Sequence, residues 1–304
     1  MSFPSVADTR SMLETAGYIC TREIATVVFL AARTQKPILV EGPAGVGKTE
    51  LAKAVSRSLH REMIRLQCYE GLDEAKALYE WEYAKQLLYT QMVKDKIGDV
   101  VSGAASLSDA VNRIAGQEDA FFSERFMLPR PLLKSIRSDE PVVLLVDEVD
   151  KSDPEFEAFL LEVLSDHQVT IPELGTLKAV HIPFVVLTSN SYRDMSDALK
   201  RRCLHLYIDY PDAPTELAIV RKKVPVIAEG LARQMVEAMT RIRRLDLKKT
   251  PSISETLDWA HALIALQVET LSPRVVADTL NVICKHREDA CQVRDQAKQV
   301  ANFD

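Results

Sequence analysis

Eight consecutive residues, Gly42-Pro43-Ala44-Gly45-Val46-Gly47-Lys48-Thr49, have the types and spacing to grip a polyphosphate. They fit the pattern G-x-x-x-x-G-K-T, a loop that cradles phosphates when it follows a strand and opens a helix. Glycines let the backbone turn tightly, so that successive N–H groups aim at an anion, and the positive end of the next helix adds to the attraction. Lys48 supplies a mobile cation for the β- and γ-phosphates, and the Thr49 hydroxyl is placed to ligate Mg²⁺. The context is right: the apolar run Pro37-Ile38-Leu39-Val40 precedes the loop, and a helical pattern begins at Glu50 with Leu51, Val55 and Leu59 on one face. Glu50 therefore joins the phosphate-binding set. The rival reading is an ordinary glycine turn with a solvated lysine.

Two further polar clusters fit the same chemistry. Pro141 to Val146 is continuously apolar and ends in Asp147-Glu148, which predicts a strand buried on both faces of a parallel sheet. Ligands bind at the carboxyl ends of such strands. Asp147 suits Mg²⁺, and Glu148 suits polarising an attacking water; without the phosphate loop the acid pair would be a solvated turn. Phe184-Val185-Val186-Leu187-Thr188-Ser189-Asn190 repeats the pattern, and Asn190 can hold the water or read the γ-phosphate. Asp197 to Cys203 ends a helix with Arg201 and Arg202 side by side, a pair that suits either solvent or a neighbouring subunit's nucleotide.

Positioning these residues requires alternating strands and helices. Residues 5 to 34 read as two helices, the first with Met12 and Leu13, the second with Ile24, Val27, Val28 and Leu30. Tyr18 and Ile19 lie between them, as an adenine-flanking wall or as plain core. Met63 to Cys68 reads as a second strand. Tyr69 to Gln91 reads as helical and aromatic, 94 to 119 as a polar connection, and Phe121 to Ser135 as an apolar helix interrupted by Pro129 and Pro131. Pro154 to Leu164 predicts an amphipathic helix, 168 to 178 a hairpin and His205 to Ile208 a last strand. From Asp212 onward only helical signals persist, broken near Pro225, Pro251 and Pro273. The expected fold is α/β: a phosphate-loop parallel sheet flanked by helices over 1–211, with room for an insertion at 94–135, and an all-helical domain over 212–304.

A chain of 304 residues, 47% hydrophobic, can build two such units. Its 38 basic and 44 acidic residues argue against a surface that coats nucleic acid, and Arg241, Arg243, Arg244, Lys248 and Lys249 read as a solvated helix face. Cys20, Cys68, Cys203, Cys284 and Cys291 are scattered and read as reduced thiols; Cys284, His286 and Cys291 offer three ligands where a closed zinc site takes four. The start MSFPSVADTR lacks the pattern of a signal peptide, and the longest apolar runs fall short of the roughly 20 residues that span a bilayer. A cytoplasmic protein without a membrane span is expected.

In this order, a phosphate loop, an Asp-Glu pair, a hairpin, a strand ending in Asn, an arginine-bearing helix end and a helical region with Leu271-Ser272-Pro273-Arg274 resemble the AAA+ ATPases. The run from Leu144 through Phe159-Leu160-Leu161-Glu162 to Gln168-Val169-Thr170, with the Ser-Pro-Arg triplet, is similar to the MoxR branch. Arg65-Leu66-Gln67-Cys68-Tyr69-Glu70-Gly71-Leu72-Asp73 followed by Tyr79-Glu80-Trp81 resembles its CoxD-like subgroup, associated with maturation of the molybdenum and copper centre of carbon monoxide dehydrogenase.

The resemblance implies ATP and Mg²⁺ as ligands, Arg274 as a sensor closing the helical lid onto the γ-phosphate, and Arg202 as a finger acting in trans. The family's D-R-F is Arg201-Arg202-Cys203 here, so Arg201 competes for that role. A finger in trans implies a homo-oligomeric ring, a hexamer by analogy. The function implied is ATP-driven, chaperone-like remodelling or cofactor maturation of a metalloenzyme client, with a von Willebrand factor A-domain partner. The alternatives are a motor or loader acting on nucleic acid, and a nucleotide-gated binding module that scarcely hydrolyses.

Overall fold

Three apolar runs and two alternating strands assemble into a five-stranded parallel sheet in the computed structural model, which describes residues 2–92, 106, 108, 126–171 and 175–303. The strands are β1 (Ile38–Glu41), β2 (Met63–Gln67), β5 (Val143–Asp147), β8 (Phe184–Ser189) and β9 (Leu204–Tyr207), in the order β2-β5-β8-β1-β9. Because all pairs are parallel, every strand delivers its carboxyl end to the same edge. Register fixes the levels: Val40 stands beside Thr188, and Gln67 beside Asp147.

The sheet separates two cores, which explains why β5 is apolar throughout. Leu144 and Val146 pack on one face with Leu132, Phe156 and Leu160, whereas Val143 and Leu145 pack on the other with Leu13, Val28 and Val55. Strands covered on both faces have no polar side to alternate with. The second face is covered by the helices Val6–Thr15, Arg22–Thr34 and Lys48–Leu59, and the first by Pro131–Ile136, Pro154–Asp166 and Asp197–Arg202. Serine and threonine caps start several of these helices: Ser5, Thr21 and Ser196 accept backbone N–H groups. The hairpin forms as expected, β6 (Gln168–Ile171) against β7 (Gly175–Lys178).

Several expectations change. The segment Tyr69 to Gln91 is not one helix; it divides into a short helix Glu74–Leu78, a strand β3 (Tyr79–Trp81) and a helix Tyr83–Met92. Likewise residues 126 to 136 are not an interrupted helix. Met127–Pro129 is a strand, β4, antiparallel to β3, and Pro131 opens the helix Pro131–Ile136 at its first position. A proline lacks the N–H that a helix interior needs, but fits an edge strand or a first helical turn. Leu30, in the second of the expected helices, is exposed. The connection at 94–119 and residues 121–125 fall outside the described residues, apart from Ser106 and Ser108.

Beyond Asp212 the described chain is helical from Ala213–Lys223 to Ala297–Val300, around a separate core built on Trp259, Met235, Met239 and Leu280. The Trp259 indole N–H donates to Thr279 Oγ1 at 2.8 Å, so burial of that ring leaves no orphaned donor. The basic cluster here is a solvated face only in part: Arg244, Lys248 and Lys249 are exposed, but Arg243 and Arg241 are engaged within the protein. Arg243 lies against Glu216 in a buried pair, Nη1–Oε2 2.5 Å and Nη2–Oε1 2.7 Å, and Arg241 donates to the backbone carbonyls of Gln299, Val300 and Asn302. Adjacent cations on one helix end point to different surroundings once that end is packed. No helix among the described residues is long and apolar enough to cross a membrane.

Candidate active site

The loop between β1 and the Lys48–Leu59 helix has the backbone that its glycines permit. Gly42, Gly45 and Gly47 sit at φ 146°, 76° and 99°, a region that costs an L side chain dearly. Space forbids one as well: a Cβ on Gly42 would stand 2.0 Å from the Ile208 carbonyl oxygen, and one on Gly45 would stand 2.1 Å from Ser252 Oγ. Gly47 caps the helix without a side chain, so no side-chain acceptor competes for the first N–H groups of that helix, which begins two residues earlier than the pattern from Glu50 predicts. Val46 is buried and anchors the loop to the core, between the exposed turn of Ala44 and Gly45 and the lysine.

Lys48 is buried and its ammonium donates to the carbonyls of Gly42 and Pro43 at 2.7 and 2.6 Å. Burial pulls it below the ordinary lysine value, against the opposing charges of Asp150, Asp147 and Glu148. A phosphate would restore what desolvation removes. Beside it, the Thr49 hydroxyl donates to Asp147 at 3.1 Å, uniting the loop helix with the end of β5. Asp147 also accepts from Thr188 Oγ1 at 2.5 Å and from the Arg65 guanidinium at 2.5 Å. Hydroxyl and carboxylate oxygens side by side are the hard donors that Mg²⁺ takes.

Glu148 follows in the left-handed region, φ 57°, and its N–H donates to Thr188 Oγ1 at 2.9 Å. That turn swings its carboxylate toward three donors: Asn190 Nδ2 at 3.2 Å, Gln67 Nε2 at 2.9 Å and Lys151 Nζ at 2.7 Å. The Glu148 side chain remains 31% exposed, open to an incoming water. Lys48, Thr49, Asp147, Glu148 and Asn190 thus meet at one sheet edge. The topology is the cause, since β5, β8 and β1 are consecutive in the sheet.

A cavity of about 440 Å³ opens beside the loop. It runs past Tyr18, Ile19, Gly47 and Glu50 to Tyr210 and Leu257, between the sheet-bearing part and the C-terminal helices. Tyr18 also packs on the core, so the wall and the core are one position. Its hydroxyl titrates above the ordinary tyrosine value because it is desolvated. Glu50 pairs with Lys53 at 2.7 Å and with Lys223 of the helical region at 3.1 Å.

The expected arginines stand elsewhere. Arg274 is 91% exposed and pairs with Asp278 at 3.7 Å, one turn along its own helix. Arg202 bonds Ser165 Oγ at 2.5 Å and the Ala198 carbonyl at 3.1 Å, and Arg201 is exposed. Sequence reasoning missed Arg65, Gln67, Asp150, Lys151 and Thr188. Arg65 and Gln67 are the outward members of the alternation in β2, but only the neighbourship of β2 and β5 gives that alternation meaning.

The model of the AAA domain (dynein-related subfamily) matches residues 37–203, more than half of the chain. An uncharacterized protein of Staphylococcus haemolyticus is 23% identical over 256 residues, covering 81% of this chain and 84% of that one. An uncharacterized protein of Staphylococcus aureus strain USA300 is 24% identical with the same coverage. Among solved structures, the RuvB Holliday junction branch migration motor of Thermotoga maritima is 16% identical, with TM-score 0.47 over 86% of this chain and 67% of that one. A point mutant of RuvB from the same organism, also 16% identical, gives 0.49 over 87% and 70%. Fold and family rest on the domain match and on the strand order. The chain belongs to the dynein-related subfamily of AAA domains, with the AAA+ phosphate-loop fold, and it is an ATPase.

Proposed function

We propose that this ATPase is a remodeller of the MoxR branch, near the CoxD-like subgroup, which uses Mg²⁺-dependent ATP hydrolysis to help mature a metalloenzyme. The observation that carries the chemical part is the junction of Thr49 with Asp147 and of Glu148 with Asn190. The main-chain N–H groups of Gly45 to Lys48 and the Lys48 ammonium bind the β- and γ-phosphates. Thr49 and Asp147 would hold Mg²⁺, which when bound supplies positive charge to the phosphate oxygens. Glu148 takes a proton from the attacking water while Asn190 orients that water, and Tyr18 and Ile19 face the base.

On this reading residues 1–211 and 212–304 are separate domains, and the second is a lid. Lys223–Glu50 and the cavity between the two parts supply the connection along which closure acts. Arg274 then approaches the γ-phosphate only on closure, consistent with its exposed position, and Arg202 or Arg201 serves the next subunit in a cytoplasmic ring, a hexamer by analogy. AAA+ proteins commonly form rings. A von Willebrand factor A-domain partner rests on the MoxR resemblance alone, and the carbon monoxide dehydrogenase client on the CoxD resemblance alone. A nucleic-acid motor draws less from the basic cluster than its five cations suggest, since Arg243 and Arg241 are engaged within the protein.

Glu148→Gln is the direct test, because it removes the base and keeps the metal and phosphate ligands. The variant should bind ATP, accumulate assembled rings and retain its client, which mass spectrometry of the captured complex identifies. Capture of a metalloenzyme or its accessory proteins supports the maturation reading. Capture of nucleic acid in its place, or turnover at the parent rate, refutes it.

A further inference from the structure

Asp150 lies two residues beyond Glu148, in the 3₁₀ turn Val149–Lys151, and is 1% exposed. One carboxylate oxygen, Oδ2, accepts the backbone N–H of Asn190 at 3.0 Å and that of Tyr192 at 2.8 Å. Between them Ser191 turns through φ 59°, so the chain leaving β8 wraps around this oxygen. The other oxygen, Oδ1, is buried with no hydrogen-bond partner among the described residues.

We infer that Asp150 is a positioning residue for ATP hydrolysis, fixing the distance between Asn190 and Glu148. The inference rests on the reading of those two residues given above. Asn190 is held twice by one short segment: its amide Nδ2 reaches Glu148 Oε1 at 3.2 Å, and its backbone N–H reaches Asp150. With both holds on the same turn, the Asn190 amide follows the catalytic carboxylate when the turn shifts. The strand β8 alone would not ensure this, because Asn190 lies just beyond its last residue, Ser189.

The rest of the loop is secured independently. Glu157 accepts Arg193 Nη1 at 2.8 Å and the Ser196 N–H at 2.6 Å, and Arg193 also donates to the Ser152 carbonyl at 2.9 Å. Loss of Asp150 therefore loosens the start of the loop without releasing all of it. Stability alone gives no reason for a carboxylate here, since a buried oxygen without a partner costs about 1–3 kcal/mol.

The test is ATP turnover and ATP affinity of the full chain carrying Asp150→Ala, Asp150→Asn, Asn190→Ala and the double variant Asp150→Ala/Asn190→Ala, with thermal melting as the control for folding. Misplacement of a water-orienting group by about 1 Å lowers kcat by about 10²-fold. Asp150→Ala should approach that loss while ATP affinity stays within about threefold. Asp150→Asn keeps an acceptor at the same place and should stay within about fivefold of the parent. In the Asn190→Ala background, Asp150→Ala should add less than about twofold, because the group it positions is gone.

Multiplicative losses in the double variant, or a loss of affinity in place of kcat, overturn the inference. If Asp150→Ala does not fold, Asp150→Asn decides: a folded protein that is as slow as Asn190→Ala overturns it. A slow Asn190→Ala with a fast Asp150→Ala sinks this inference alone, whereas a fast Asn190→Ala sinks the reading of the site and this inference with it.

Discussion

In the helical region, Glu216 is fully buried and every direction around it is answered: Arg243 binds both oxygens, and Thr256 Oγ1 donates at 2.6 Å. Arg243 in turn donates to the Pro251 carbonyl at 2.8 Å and lies 5.4 Å from the centre of the Tyr210 ring. At the sheet edge the buried charges are arranged otherwise. Among the described residues, Lys48 has two carbonyls, Asp150 has an oxygen without a partner, and Glu148 is partly open to solvent. A closed network holds an enclosed charge at no further cost, whereas an open one remains able to respond to a ligand. Burial of a charged residue, by itself, distinguishes neither case. Whether its hydrogen-bonding capacity is spent does.

Four substitutions probe that difference, in order of expected effect. Lys48→Ala should abolish ATP binding in calorimetry; unchanged affinity would remove the phosphate-loop assignment and with it the open half of the comparison. Glu216→Ala leaves a buried guanidinium unpaired, which costs about 3–5 kcal/mol. Urea unfolding should report that loss, and a change below about 1 kcal/mol would mean that the pair is not closed to water. Glu148→Gln should lower turnover about 10³-fold, because a general base is gone, with ATP affinity within about threefold. Normal hydrolysis by this variant would require another base. Arg274→Ala should leave unfolding within about 0.5 kcal/mol, as for any exposed side chain. If closure brings Arg274 to the γ-phosphate, turnover still falls about tenfold, and unchanged turnover would leave Arg274 a surface residue.

The strands β1, β5 and β8 were legible because burial on both faces writes itself as uninterrupted apolar residues. The phosphate loop was legible because its glycines answer a local steric demand. Tyr79–Trp81 and Met127–Pro129 were not legible as partners, since antiparallel pairing across a long interval leaves no periodic trace in either short strand. Arg241 and Arg243 misled for a related reason: charge density along a helix says nothing of what packs against that helix.

From the sequence alone follow the loop, the acid pair at the end of β5, the polar end of β8 and the change to helices after Asp212, each imposed by forces acting over a few neighbouring residues. Only the tertiary structure decided that β8 stands between β1 and β5, that Asp147 is shared by Thr49, Thr188 and Arg65, and that Asp150 holds the backbone of Asn190. Those contacts join residues some 40 to 100 positions apart, and which distant residues meet is set by strand order and register, quantities that no local stretch of chain contains.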